Sequence, residues 1–182
     1  MVEFIEPEGF DRMKELIIDA TREALHGIRD ARFFRTERGF HGAFYCALMK
    51  SLSERELLTE DTLLEMEYQK SARHVLYQRP DIVLHKPAEI TGAAVSDNNY
   101  AVWALKRHAS GEAAADDFGK LDSMFSVLKY PLGFFINIDA SDHYLRSYEG
   151  PFPERLYGCA VWLDQGNPTV RLDSITRIRQ SG

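Results

Sequence analysis

Arg79-Pro80-Asp81-Ile82-Val83-Leu84, followed by Tyr100-Ala101-Val102-Trp103-Ala104-Leu105-Lys106-Arg107-His108, is the stretch whose reading decides the fold. Both runs are rich in β-branched and aromatic residues and read as neighbouring strands, over 81–86 and 100–107. Between them, residues 87–99 hold Pro87, Gly92, Ser96, Asp97, Asn98 and Asn99, which is turn chemistry. The first strand opens on a carboxylate, Asp81. The second carries Lys106 two residues after Ala104, and because side chains alternate along a strand these two share a face. If the strands pair, Asp81 comes to lie beside that face.

Working outward, residues 10–26 read as a helix: Met13, Leu16, Ile17, Ala20 and Ala24 recur at helical spacing, Asp11 caps it and Gly27 ends it. A second helix spans 36–52, with Thr36 as N-cap and Phe40, Phe44, Ala47, Leu48 and Leu52 as its apolar stripe. Residues 53–61 are a charged connection, 62–69 a strand, and 70–80 a loop or the base of a hairpin. A third helix covers 114–129, turning Phe118, Leu121, Phe125 and Leu128 inward and ending before Pro131. The run Leu132–Ile138 is apolar nearly throughout, as in a central strand covered on both faces. Strands follow at 154–164 and 168–173, and the polar tail 174–182 is expected to fray. The order α-α-β-β-β-α-β-β-β describes an α/β domain, a mixed β-sheet flanked by helices, spanning residues 1–182 as one unit.

Composition agrees. The chain has 182 residues, 45% apolar and 27% charged, an ordinary globular balance. No apolar run approaches the ~18 residues of a membrane span. The acidic N-terminus has neither the basic region nor the apolar stretch of a signal peptide, so a cytoplasmic protein is expected. Cys46 and Cys159 stand far apart and outside any C-x-x-C pair, so no zinc site is indicated, and Cys46 is expected to be a buried reduced thiol. A net charge of −6 is poor for non-specific coating of nucleic acid. It leaves room for a local basic groove, and Arg73, His74, Arg79, His85, Lys86, Lys106, Arg107 and His108 cluster around the two motif strands.

These residues suit phosphodiester hydrolysis, which needs a polarised phosphate, an activated water and a stabilised leaving oxygen; one or two Mg²⁺ ions supply all three. Mg²⁺ takes hard oxygen ligands, usually one or two carboxylates with water and phosphate. Asp81 and the backbone carbonyl of Leu105 are candidate ligands, and Lys106 brings positive charge to the phosphate. Glu37, on the helix face of Phe40, His41 and Phe44, is a third acid; on that face it needs a partner, either a metal site or Lys106. Lys120 approaches from the third helix. Each residue has a plainer reading: Asp81 as a turn residue, Lys106 and Lys120 as surface charges, Glu37 as a first-turn acid favoured by the helix dipole. His41, His74, His85 and His108 show no ligand spacing.

At this point residues 33–138 resemble the PD-(D/E)XK nuclease superfamily, with its restriction-endonuclease-like fold. The resemblance runs through a leading helix with Glu37, the strand Pro80-Asp81-Ile-Val-Leu and the strand Val102-Trp-Ala-Leu-Lys106-Arg. It continues through the helix Asp117-Phe-Gly-Lys120-Leu and the apolar strand Gly133-Phe-Phe-Ile-Asn-Ile. It implies a nuclease using Mg²⁺ or Mn²⁺, with Asp81 as metal ligand, Lys106 as catalytic lysine and Glu37 as the helix acid. Nucleic acid, DNA ahead of RNA, is the expected partner, met by Arg73, His74, Arg79, Arg107, His108 and Lys120. A homodimer or a protein partner is also compatible.

One position departs from the family pattern. Where an acid precedes x-Lys, this chain has Ala104, and a methyl group cannot hold Mg²⁺. Three accounts fit: an introduced Glu→Ala or Asp→Ala change that disables the nuclease; a nuclease-like module that binds nucleic acid or protein without cutting; or another acid in the role, such as Glu37, Asp97 or Glu89. The first is favoured, because the rest of the strand is what an intact site has. A structural or regulatory protein, indifferent to nucleic acid, is the remaining class. Beyond the resemblance, Tyr144, Tyr148, Phe152, Tyr157 and Trp162 are expected to pack a core, or else to form a dimer surface or a platform for an unstacked base.

Overall fold

The computed structural model describes residues 7–66, 80–87 and 99–180, with side chains between residues 11 and 178. Helix α1, Pro7–Gly27, opens on a proline whose fixed φ suits a first helical turn. It therefore starts three residues earlier than expected, and Asp11 lies inside it rather than capping it. It buries Ile17, Ala20, Ala24 and Leu25. A single turn, α2, Ala31–Phe34, is capped by Asp30. Helix α3, Glu37–Glu54, begins where the sequence placed it: Thr36 Oγ1 accepts the Gly39 N–H at 3.0 Å.

Six strands form one mixed sheet in sequence order: β1 Leu63–Met66, β2 Ile82–His85, β3 Asn99–Arg107, β4 Gly133–Ile138, β5 Leu156–Asp164 and β6 Asn167–Ser174. The β1/β2, β2/β3 and β5/β6 pairs are antiparallel, whereas β3/β4 and β4/β5 are parallel. The β3-to-β4 crossover is helix α4, Gly111–Val127, and its N-cap, Ser110, sets its start three residues before the expected one. A short 3₁₀ turn, Leu145–Ser147, lies in the second crossover.

Helices cover both faces. On one, α1, α2 and α3 pack against Trp103, Leu105, Phe134, Ile136 and Cys159. Trp103 stacks on Phe134 at 5.4 Å, and its indole N–H donates to Thr21 Oγ1 at 3.1 Å, so the one polar atom of this large buried ring is satisfied. On the other face, α4 lays Ala114, Phe118, Leu121, Met124 and Phe125 over Val102, Phe135 and Leu156. Strand β4 is buried at all six positions, as its unbroken apolar run predicted. Gly133 lets α4 come close: a Cβ there would meet the Phe125 ring at 2.5 Å.

Two expectations are corrected. The tail does not fray over its whole length: Ile175–Gln180 forms helix α5, with Ile175 buried and Ile178 packed against the α4 core. The polar residues of that stretch hid two isoleucines at helical spacing. Cys46 is exposed, on the outward side of α3, and Cys159 is the buried thiol. Of the C-terminal aromatics, Tyr148 is buried, Tyr144 and Phe152 lie against the α4 core and Tyr157 against the opposite one, which is the core packing expected of them. Among the described residues, no helix is long and apolar enough to cross a membrane.

Candidate active site

The site begins with a mismatch in strand length. The N–H groups of Val102 and His108 donate to Leu132 and Ile138, so the even-numbered amides of β3 face β4. Odd-numbered amides face β2, whose register on β3 stops at Ile82 opposite Trp103. The N–H groups of Leu105 and Arg107 therefore overrun their neighbour strand, and a buried amide left unpaired is costly. Two carboxylates take them. Asp81 Oδ2 accepts from Leu105 N at 2.7 Å, and Glu37 Oε2 accepts from Arg107 N at 2.9 Å. The partner of Glu37 is thus a backbone amide, not Lys106. Each acid keeps its second oxygen clear of hydrogen bonds with the described residues. The carbonyl of Leu105 lies on the same edge as its amide.

These groups open onto a pocket of about 120 Å³, lined by Glu37, Pro80 and Asp81 on one side, Ala104 and Lys106 from β3, and Asp117 and Lys120 from α4. The face shared by residues 104 and 106 is the one that lines it, as alternation predicted. Lys106 is exposed at the rim, with no hydrogen bond or ion pair to the described residues. Burial pushes the Asp81 carboxyl above its usual range, and Asp117 and Glu37 add to that. The Leu105 amide and His41 pull it back without reversing it. Its charge is thus not compensated within the protein.

Asp117 is a pocket residue to which the sequence reading gave no role. It is only 7% exposed, and Lys120 holds it at 2.5 Å. That hydrogen bond raises the Lys120 pKa. The signal was present in the spacing: Ala114, Asp117, Phe118, Leu121 and Met124 form the buried stripe of α4, and an acid on such a stripe calls for a partner.

His41, four residues after Glu37 on α3, is buried, and its Nε2 has no hydrogen-bond partner among the described residues. Arg107 and His108 are engaged elsewhere. The Arg107 guanidinium donates to the Phe34 carbonyl at 2.7 Å and to Asp139 at 2.8 Å, and His108 Nε2 lies 2.7 Å from the same Asp139. His108 and Asp139 both adopt left-handed backbone at the ends of the parallel strands, and this ionic knot ties them together. His85 is buried against Glu65. Arg73, His74 and Arg79, and the alternative acids Glu89 and Asp97, lie outside the described residues.

Among the described residues, no three His, Cys, Asp or Glu side chains converge as a metal cage. The donors that do converge are hard oxygens: two half-used carboxylates and an edge carbonyl. This set suits Mg²⁺ or Mn²⁺, which keep much of their water and bind through one or two carboxylates.

No family model, curated protein or solved structure matches the chain. The chemistry of the pocket is therefore the guide to its use.

Proposed function

We propose that this chain is a metal-dependent nuclease of the PD-(D/E)XK kind, its mixed sheet a restriction-endonuclease-like one. The observation that carries the reading is the convergence of Asp81, Glu37 and Lys106, from three separate elements, on one pocket beside position 104. Asp81, Glu37 and the Leu105 carbonyl would hold Mg²⁺ or Mn²⁺, whose Lewis acidity at a phosphate oxygen is the chemistry such a site requires. Asp81 is prepared for a cation: its charge is raised in energy by burial and by two neighbouring acids. Lys106, free at the rim, meets the negative charge that grows on the phosphate during attack. Arg107 and His108 hold the ends of β3 and β4 through Asp139, which fixes the strand that presents Lys106. The substrate is a nucleic acid, DNA ahead of RNA, drawn in locally rather than by the net charge of −6.

Ala104 leaves the pocket short of one carboxylate, so turnover by this chain is low or absent. The alternative, a nuclease-like module that binds nucleic acid or a protein without cutting, is favoured by that same methyl group. Hydrolysis of single- and double-stranded DNA and RNA with Mg²⁺ and Mn²⁺ separates the two. The comparison is between this chain, Ala104→Glu, and Ala104→Glu with Lys106→Ala. Cutting that rises with Ala104→Glu and falls at least a hundredfold on loss of Lys106 supports the nuclease. Binding without cutting by all three supports the module.

A further inference from the structure

We infer that Asp117, presented by α4, supplies the carboxylate that position 104 lacks, and that Lys120 holds it until a divalent cation takes the ammonium's place. This inference rests on the metal-dependent reading of the pocket.

Three observations carry it. The first is position: Ala104 from β3 and Asp117 from α4 line the same pocket, so an acid on the helix shares the space that a longer side chain at position 104 would enter. The second is the environment of Asp117. It occupies a helical stripe whose other members are apolar and buried. Its partner among the described residues, Lys120, is 54% exposed and sits a turn away on the same helix. A buried acid on a packing stripe adds nothing to the core, and a half-solvated lysine can be exchanged for a stronger cation without moving the backbone. Lys120 released in this way remains at the pocket wall, where an incoming phosphate needs positive charge.

The third observation concerns a neighbour of the acids. His41, one turn after Glu37 on α3, is 8% exposed, and its Nε2 has no partner among the described residues. A buried polar nitrogen without a partner marks a place where the protein alone does not complete the hydrogen bonding. Here that place lies one helical turn from Glu37, which lines one pocket together with Asp81 and Asp117. A hydrated divalent cation answers both needs: its charge relieves the acids, and its bound water offers the imidazole a donor.

Mn²⁺ binding to the full chain, read from loss of the free-ion electron paramagnetic resonance signal, tests the inference without relying on activity. Asp117→Asn should weaken Mn²⁺ binding at least tenfold, and Lys120→Gln, which removes the competitor, should tighten it severalfold. Ala104→Glu should restore binding in the Asp117→Asn background. The opposite signs of the Asp117 and Lys120 effects distinguish the exchange from unfolding, which weakens binding in every variant. If Asp81→Asn abolishes binding while the Asp117 and Lys120 variants match the parent, Asp117 is not a ligand and the metal-dependent reading stands. Binding that appears only with Ala104→Glu likewise removes Asp117 from the ligand set and leaves that reading intact. If neither the parent chain nor Ala104→Glu takes up Mn²⁺, both the inference and the metal-dependent reading fall.

Discussion

Asp81 serves the backbone and the pocket at once: one oxygen accepts the Leu105 amide, and the other faces a space shared with two more acids. Because its pKa is raised on folding, the folded chain holds that proton more tightly than the unfolded chain does. The penalty is absent below the unfolded carboxylate value near 4 and appears as pH rises through the folded one. Asp81→Asn keeps an oxygen for Leu105 and removes the charge. Thermal melts from pH 3 to 8 should therefore show the variant more stable at neutral pH, with the gain vanishing near pH 3. At this scale Asp81, Glu37, Lys106 and Ala104 were legible in the sequence, because strand alternation and helical spacing place them. Asp117 was passed over, although its place on the buried stripe of α4 was legible in the helical spacing. The role of Glu37 as acceptor for the Arg107 amide depends on strand lengths that no local pattern encodes.

Among the elements, α3 and α4 decide whether the two walls of the pocket stand at the right separation. Thr36 caps α3 immediately before Glu37. Thr36→Ala should cost about 1 kcal/mol in denaturant unfolding and lower nuclease activity in the Ala104→Glu background by loosening Glu37. Gly133 sets the approach of α4. Gly133→Ala drives a methyl group into the Phe125 ring and should cost about 1–3 kcal/mol, as overpacking does. It should also weaken Mn²⁺ binding by shifting Asp117. Periodicity foretold the long helices and most strands, apart from a few residues at their ends. The one-turn helix α2 escaped because four residues show no period. Helix α5 escaped because two isoleucines among polar neighbours look like tail.

At the level of the whole molecule, the sheet is assembled from distant parts. Strands β5 and β6 extend the same sheet that carries the site, and β5 joins β4 in parallel only after the chain has crossed over through the 3₁₀ turn. The pairing β1 to β6 in sequence order could not be read from local patterns, because long-range register depends on which faces the helices cover. Helix α5 closes the far side of the α4 core, where Ile175 is 4% exposed. Truncation after Ser174 should therefore destabilise the protein by about 1.5–3 kcal/mol, the value of one fully buried isoleucine, in urea unfolding. A freely fraying tail would leave stability unchanged.

The overrun of β3 past β2 has a consequence for aggregation. Unpaired strand amides are a template on which another polypeptide can add a strand, and charged side chains at an edge discourage it. Asp81 and Glu37 act as stoppers on that template. An alanine at either position removes a stopper together with a carboxylate of the proposed metal site, so a loss of Mn²⁺ binding in such a variant mixes lost chemistry with self-association. The amides Asp81→Asn and Glu37→Gln keep the edge closed, and light scattering beside the assay should find them monodisperse where Asp81→Ala is not.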